Sequence, residues 1–319
     1  MTQQPRIVTL RERLSSEIVG QTALLDRLVI GLLTRGHILV EGLPGLAKTT
    51  AVKTLASAIT AEFCRVQFTP DLLPADLTGG EIYDPGSGHV EFRAGPLFHE
   101  ILLADEINRA PAKVQSALLE AMQEHQVTAG GATHRLPDLF MVMATQNPIE
   151  QAGTYPLPEA QLDRFLLHVR IDYPDAGDEL EILRRGRASF AKPATGMPAV
   201  IGVESVLAAR AEVAAVHIEP ALEQYIVTLT RATRAPGRSV PALSDSVEVG
   251  ASPRAALALA QAALAMAYLR GRDYVIPDDI IDLAPDALRH RVIPSMSARM
   301  AGLDADAIVA QLLEVIEVP

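Results

Sequence analysis

The chain has 319 residues, of which 49% are hydrophobic and 21% charged, and its formal net charge is −11. This composition is typical of a globular protein, and the length favours two domains over one compact core. The negative charge disfavours nucleic acid and anionic membranes as partners unless a local basic patch exists, and the single cysteine excludes an internal disulfide.

The sequence shows no sign of secretion or of membrane insertion. Residues 1–5 are polar and precede no apolar signal segment. The longest apolar stretch, residues 255–269, is interrupted by Gln261 and is shorter than the ~20 residues that span a bilayer. We therefore expect a cytoplasmic protein that does not insert directly into a membrane.

Residues 6–35 predict two helices separated by a short turn. Apolar residues recur at helical spacing after the turn, which lies at residues 18–21. Gly20 and Gln21 in this turn precede the next strand closely and could contact an adenine ring. A plain connection between two helices would carry the same residues, so both interpretations stay open.

The segment Gly42-Leu43-Pro44-Gly45-Leu46-Ala47-Lys48-Thr49 has the features of a phosphate-binding loop. It follows an apolar strand at residues 37–41 and precedes a helix at residues 50–58, so backbone N–H groups and a helix N-terminus can converge on an anion. Lys48 would reach the β- and γ-phosphates, and the Thr49 hydroxyl would ligate Mg²⁺. Ala47 stands where glycine is usual, and its methyl group is compatible with a helix start.

Two further predicted strands end in polar side chains that suit phosphoryl transfer. Residues 101–104 lead into Asp105 and Glu106, and residues 140–145 lead into Asn147. Because ligands bind at the carboxyl ends of strands in open α/β sheets, we expect these side chains at one rim. Asp105 can hold Mg²⁺, Glu106 can polarise a water, and Asn147 can hold that water or a γ-phosphate oxygen.

Two hairpins are predicted within residues 78–96 and 126–136. A hairpin that projects between core elements suggests a functional surface, although a passive surface hairpin is nearly as consistent with the sequence.

Arg164 precedes the last predicted strand and is suited to stabilise charge on a transferred phosphoryl group. It could also pair with Asp163 or cap a helix.

After residue 174 the pattern changes from strands to helices, which predicts a core at residues 1–174 and a smaller helical domain at residues 175–319. Five helices are predicted in the second part, at residues 178–187, 203–213, 220–233, 252–270 and 277–291. Ser252 and Pro253 define the start of the fourth helix, so Arg254 could project to nucleotide phosphates from a lid. A simply exposed first-turn arginine is the alternative.

Two central motifs resemble the MoxR family of AAA+ ATPases. The first is Ala-Asp-Glu-Ile-Asn-Arg-Ala-Pro at residues 104–111, continued by residues 117–124. The second is Ala-Thr-Gln-Asn-Pro at residues 144–148, with residues 153–165 after it, and the similarity extends from about residue 18 to about residue 294. The resemblance implies an α/β fold: an αβα P-loop core with a parallel five-stranded sheet, followed by a smaller all-helical lid.

The resemblance also implies roles for individual residues. Walker A would be residues 42–49, Walker B would be Asp105 and Glu106, and sensor 1 would be Asn147. Arg164 would be an arginine finger that acts in trans, and Arg254 would be sensor 2. The residues that hold nucleotide would be Gly20, Gln21, Gly42, Leu43, Pro44, Gly45, Leu46, Ala47, Lys48, Thr49, Thr50 and Asp105, with Thr49 and Asp105 as the Mg²⁺ ligands.

The family implies ATP hydrolysis in a homo-oligomeric, hexameric ring that remodels or matures client proteins, often with a partner that carries a von Willebrand factor A domain. The two hairpins would be the helix-2 insert and the pre-sensor-1 insert at the ring pore. A DNA motor is disfavoured because the hairpin tips lack basic residues. A sigma-54-type activator is disfavoured because the first hairpin lacks the Gly-Ala-Phe-Thr-Gly-Ala tip.

Two alternatives remain. A chelatase-type motor subunit shares this architecture. An ATP-gated scaffold could assemble on nucleotide and recruit a partner without fast hydrolysis, although intact Asp105, Glu106 and Asn147 argue against that role.

Overall fold

The centre of the chain is a five-stranded parallel β-sheet, which confirms the predicted fold class. The computed structural model describes residues 2–43, 45–86, 89–148, 153–191 and 199–319. The strands are β1 Ile38–Glu41, β2 Phe63–Gln67, β3 Gly79–Asp84, β4 His89–Ala94, β5 Ile101–Asp105, β6 Gln126–Ala129, β7 Ala132–Arg135, β8 Met141–Gln146, β9 Leu167–Arg170, β10 Val247–Val249 and β11 Ile293–Pro294. The central sheet has the order β2-β5-β8-β1-β9.

Helices surround this sheet and form the C-terminal part of the chain. They are α1 Gln4–Glu17, α2 Thr22–Thr34, α3 Lys48–Ala58, α4 Pro74–Thr78, α5 Ala112–Glu124, α6 Glu159–Leu162, α7 Ala176–Ala191, α8 Val203–Ala214, α9 Pro220–Ala232, α10 Pro253–Leu269, α11 Pro277–Leu288, α12 Met296–Met300 and α13 Ala305–Val315. Among the described residues, no helix combines the length and the apolar character that a bilayer span requires.

Both faces of the sheet are covered, because alternate strand residues point to opposite sides. Ile38 and Val40 of β1 pack in one apolar cluster with residues of α1, α2 and α3. Leu39 between them packs in a second cluster with residues of α5. The near-continuous apolar runs of the strands therefore follow from burial on both sides.

The C-terminal part contains the five predicted helices as α7 to α11, and it also contains elements that the pattern does not predict. These are the short helix α12, the helix α13, and a two-stranded antiparallel sheet of β10 and β11. The lid is therefore mainly helical and not all-helical. Both strands are at most three residues long, too short for alternation to show in the sequence.

The apolar cluster on the α2 side of the sheet continues into the lid. Leu28 of α2, Val206 of α8 and Leu259 of α10 are fully buried members of one cluster. The first two helices thus pack against both parts of the chain. The domain boundary at residue 174 stays a prediction, since the apolar core crosses it.

The lid has a fully buried charge at Asp279 in α11. Its carboxylate accepts hydrogen bonds from Arg270 at 2.9 Å, from Arg272 at 2.6 and 2.8 Å, and from the backbone N–H of Ile276 at 3.0 Å. A buried carboxylate without such donors would be strongly destabilising. Asp279 therefore fixes the start of α11 against the loop that follows α10.

Replacement of this carboxylate should destabilise the lid. We expect Asp279→Ala to lower the free energy of unfolding by about 3 kcal/mol, because the arginine donors and the Ile276 N–H lose their acceptor. Urea unfolding followed by circular dichroism measures this change. Asp278→Ala, at the exposed neighbouring position, is the control and should change stability by less than about 0.5 kcal/mol; equal effects of both variants would contradict the assignment.

Candidate active site

The predicted phosphate-binding loop, residues 42–49, joins β1 to α3, and its last two residues, Lys48 and Thr49, are the first residues of that helix. Ala47 is the N-cap of α3, and its φ of 57° and ψ of 16° are in the left-handed region. Gly45 also has a positive φ, 87°. A left-handed alanine costs about 1 to 2 kcal/mol, so the glycine usual at this position would relieve strain that Ala47 retains. Pro44 is outside the described residues.

Gly42 is required at the start of the loop by close packing. A Cβ atom at this position would lie 2.3 Å from Cγ1 of Ile171, the residue after β9. The Gly42 N–H donates to the Gln146 carbonyl at the end of β8. The loop therefore starts in tight contact with both strands that flank β1.

Two other predicted loop residues lie outside the cavity described next. Leu43 lines a separate, smaller cavity with Gly42 and Ile171, and Leu46 is buried.

A cavity of about 360 Å³ opens where α3 begins. Its lining includes Gly45, Ala47, Lys48, Thr49 and Thr50. The Lys48 ammonium donates to the Gly42 carbonyl at 2.6 Å. Burial lowers the pKa of Lys48, and the nearby Asp105 and Glu106 carboxylates oppose that shift. The cavity thus combines a helix N-terminus with a lysine, the arrangement that binds phosphate.

Asp105 and Glu106 also line this cavity, and Thr145 holds both. The Thr145 hydroxyl donates to Oδ1 of Asp105 at 2.6 Å and accepts the backbone N–H of Glu106 at 2.8 Å. Glu106 has a φ of 57° and ψ of 52°, a strained left-handed conformation that occurs often at functional sites. Thr145 is buried at the end of β8 and was not among the predicted site residues.

Asn147 follows β8 and also lines this cavity, with its side chain largely buried. The structure therefore brings together Lys48, Thr49, Asp105, Glu106 and Asn147. Parallel pairing explains the convergence, because β1, β5 and β8 all end at this rim.

Besides Thr145, the prediction missed three residues that line the cavity or bind its acids. Arg65 and Gln67 of the edge strand β2 line the cavity. Arg65 binds Asp105 at 2.6 Å, and Gln67 binds Glu106 at 2.6 Å. Arg109 also pairs with Glu106, at 2.9 Å. The sequence did contain a signal for Arg65 and Gln67. Residues two apart in a strand point to the same face, and both of these are polar and lie at the carboxyl end of β2.

The donors present fit a magnesium–nucleotide complex. The Thr49 hydroxyl and the Asp105 carboxylate line one cavity, and Mg²⁺ prefers oxygen ligands from one or two side chains together with phosphate oxygens. Lys48 and the N-terminus of α3 supply positive charge beside them.

The turn that contains Gly20 and Gln21 lies near the start of the lid and does not line this cavity. A Cβ atom on Gly20 would lie 2.9 Å from side-chain atoms of Pro174 and Asp178. The buried Gln21 amide donates to the Asp172 carbonyl at 3.4 Å. The turn is thus packed against the connection between sheet and lid, while contact with an adenine ring stays a prediction.

Arg164 and Arg254 line a different cavity, of about 270 Å³. Asp163 is bound there by Arg291 at 2.7 Å, and it lies 3.7 Å from the guanidinium of Arg254, which is 59% exposed. Arg254 therefore does not reach the phosphate cavity of its own chain. The predicted alternative of an Arg164–Asp163 pair is not observed, since Arg291 and Arg254 are the arginines beside Asp163.

The contact between Gly42 and Ile171 gives a paired test of the loop geometry. We expect Gly42→Ala to destabilise the chain by about 1 to 3 kcal/mol through overpacking and to weaken nucleotide binding. Adding Ile171→Ala removes the side chain that the new methyl group meets and should restore binding. Calorimetric titration with ADP measures both variants, with Ile171→Ala alone as the control; a double variant as impaired as Gly42→Ala would refute the steric explanation.

Comparisons with known proteins agree with this geometry. Residues 37–167 match the model of the ATPase family associated with various cellular activities (AAA), and residues 242–312 match the AAA lid domain. Chaperone MoxR1 of Mycobacterium tuberculosis is 45% identical over 95% of this chain and 79% of its own length. The uncharacterized protein YeaC of Bacillus subtilis is 45% identical over 97% and 93%.

A solved structure is also similar over nearly the whole chain. The crystal structure of a Cytophaga hutchinsonii protein superposes with a TM-score of 0.93 at 45% identity, covering 99% of this chain and 96% of that one. Sequence, fold and site geometry therefore lead to one conclusion: the chain belongs to the MoxR family of AAA ATPases.

Proposed function

We propose that this protein is a Mg²⁺-dependent ATPase that works as a hexameric ring of identical subunits and uses hydrolysis to remodel or mature client proteins. One observation carries the proposal. Lys48, Asp105, Glu106 and Asn147 meet in one cavity, whereas Arg164 lies in another. The first set suits phosphate binding and water activation, and a neighbouring copy would have to supply the arginine.

The cavity residues divide the work of hydrolysis. Lys48 and the N–H groups at the start of α3 would hold the phosphates, and Thr49 and Asp105 would hold the metal, which when bound neutralises charge on the phosphate oxygens. Glu106 would polarise the attacking water, and Asn147 would orient it. Thr145 fixes the two acids, so the site is organised before substrate binds.

Arg164 is the residue through which hydrolysis would depend on assembly of the subunits. Its guanidinium makes no ion pair or hydrogen bond with the part of the chain that the structure describes. An unpaired guanidinium on a surface is available to a neighbour's γ-phosphate, where it would stabilise transferred charge. Arg254, beside Arg164, would act on the same neighbouring site.

The hairpins provide a surface for a polypeptide client. On β3 and β4, Ile82, Tyr83 and Val90 are 48%, 60% and 58% exposed. Phe92 of this hairpin stacks on His134 of the β6–β7 hairpin, with ring centroids 3.9 Å apart. Exposed apolar and aromatic side chains suit protein contacts better than a phosphate backbone.

The family resemblance is the basis for proposing a partner with a von Willebrand factor A domain. The composition is the basis for proposing a cytoplasmic location.

Glu106→Gln should separate binding from hydrolysis. The amide keeps the size of the side chain but cannot accept a proton, so we expect nucleotide affinity to be retained and turnover to fall by about 100-fold or more. Phosphate release and calorimetry measure the two properties. Glu120→Gln, on the exposed face of α5, is the control. Turnover of Glu106→Gln near that of wild type would remove Glu106 from the reaction.

Mixing two inactive variants tests whether Arg164 acts in trans. Arg164→Ala alone should bind ATP normally and lose about 10³-fold or more in turnover. In a mixed assembly, a subunit with Arg164→Ala still offers Glu106, and a neighbour with Glu106→Gln still offers Arg164. We therefore expect partial recovery of phosphate release on mixing. No recovery in assemblies shown to be mixed would contradict a trans role.

A further inference from the structure

Arg65 donates two hydrogen bonds to one oxygen, Oδ2, of the Asp105 carboxylate. Its Nη2 and Nε atoms donate to Oδ2 at 2.6 and 3.1 Å. Oδ1 is taken by the Thr145 hydroxyl. Each oxygen of Asp105, the predicted metal ligand, thus already accepts a hydrogen bond. The donor at Oδ2 is the positively charged guanidinium of Arg65.

The two partners of Asp105 differ in how firmly they are held. Thr145 is buried at the end of the inner strand β8. Arg65 lies on the edge strand β2, and its side chain is 49% exposed, against 13% for Asp105. A half-exposed arginine on a flexible stem can turn into solvent at little cost, whereas the Thr145 hydroxyl cannot. Arg65 is therefore the partner that can leave.

Arg65 is also connected to Glu106. Its Nη2 donates to Oε1 of Gln67 at 3.1 Å, and Nε2 of Gln67 donates to Oε2 of Glu106 at 2.6 Å. Because Arg65 can only donate, it orients the amide so that the NH₂ group faces Glu106. The four side chains form one chain of hydrogen bonds, Asp105 to Arg65 to Gln67 to Glu106.

We propose that Arg65 is a positioning residue that competes with the divalent cation for the Asp105 carboxylate. This inference rests on the proposed function. A cation at Oδ2 and the Arg65 guanidinium repel each other, so they exclude one another at that oxygen. When Arg65 leaves Asp105, the Gln67 amide loses the donor that orients it, whereas Arg109 still donates to Oε2 of Glu106 at 2.9 Å.

The test compares nucleotide binding with and without metal. Affinity for AMP-PNP, a non-hydrolysable ATP analogue, is measured by calorimetry in saturating Mg²⁺ and in EDTA. We expect Arg65→Met to raise the ratio of the affinity in Mg²⁺ to the affinity in EDTA about twofold to tenfold over wild type. This is the range for one partly exposed charge-assisted pair. Arg65→Lys should fall between them, and Arg13→Met, on the exposed face of α1, should match wild type.

Each other result has a definite meaning. An unchanged or lower ratio in both Arg65 variants, with folding intact by thermal melting, would overturn the role of Arg65. Weaker binding of Arg65→Met in EDTA would show a direct phosphate contact and would overturn it as well. A wild-type protein that binds no nucleotide in either condition would overturn the proposed function itself, which separates the two failures.

Discussion

The hydrogen bonds of one buried hydroxyl hold the site together. Thr145 donates to Asp105 and accepts from the backbone of Glu106, so it fixes the two acids that end β5 from the neighbouring strand β8. The strained φ of Glu106 persists because that backbone N–H is held. Lys48 and Thr49 approach the same acids from the start of α3. The order of β1, β8 and β5 in the sheet makes these contacts possible.

The lid is attached to the sheet at the segment that carries Arg164. Arg291, which follows α11, binds Asp163 and donates to the carbonyls of Phe165 and Leu166. Arg254 approaches the other oxygen of Asp163. A change in lid orientation would therefore move the chain on either side of Arg164. This is a structural route by which a movement of the lid could reach the surface that carries Arg164.

A second attachment joins the lid to the strand that leads into the phosphate loop. Asp306 of α13 binds Arg289 at 2.8 Å and also binds Arg170 of β9. Arg170 lies 3.6 Å from Glu41, the last residue of β1. Nε2 of His168 lies 3.0 Å from Oε2 of Glu41, and this neighbour, together with the charge of Arg170, lowers the pKa of Glu41. The C-terminal helix, which the periodicity did not predict, is thus linked by charge to the residue before Gly42.

The sequence by itself located the predicted phosphate loop, the paired acids and Asn147 at the ends of strands, because each is a contiguous segment with a local pattern: an apolar strand followed by polar residues at its carboxyl end. It also determined the start of α10, where the Ser252 hydroxyl accepts a hydrogen bond from the Arg254 N–H. Only the tertiary structure decided which β2 side chains face the acids, since the register that sets Gln67 opposite Asp105 joins distant segments. It likewise decided that Arg254 lies beside Asp163 and not beside Lys48, because helix packing, and not any local signal, sets where a helix N-terminus points.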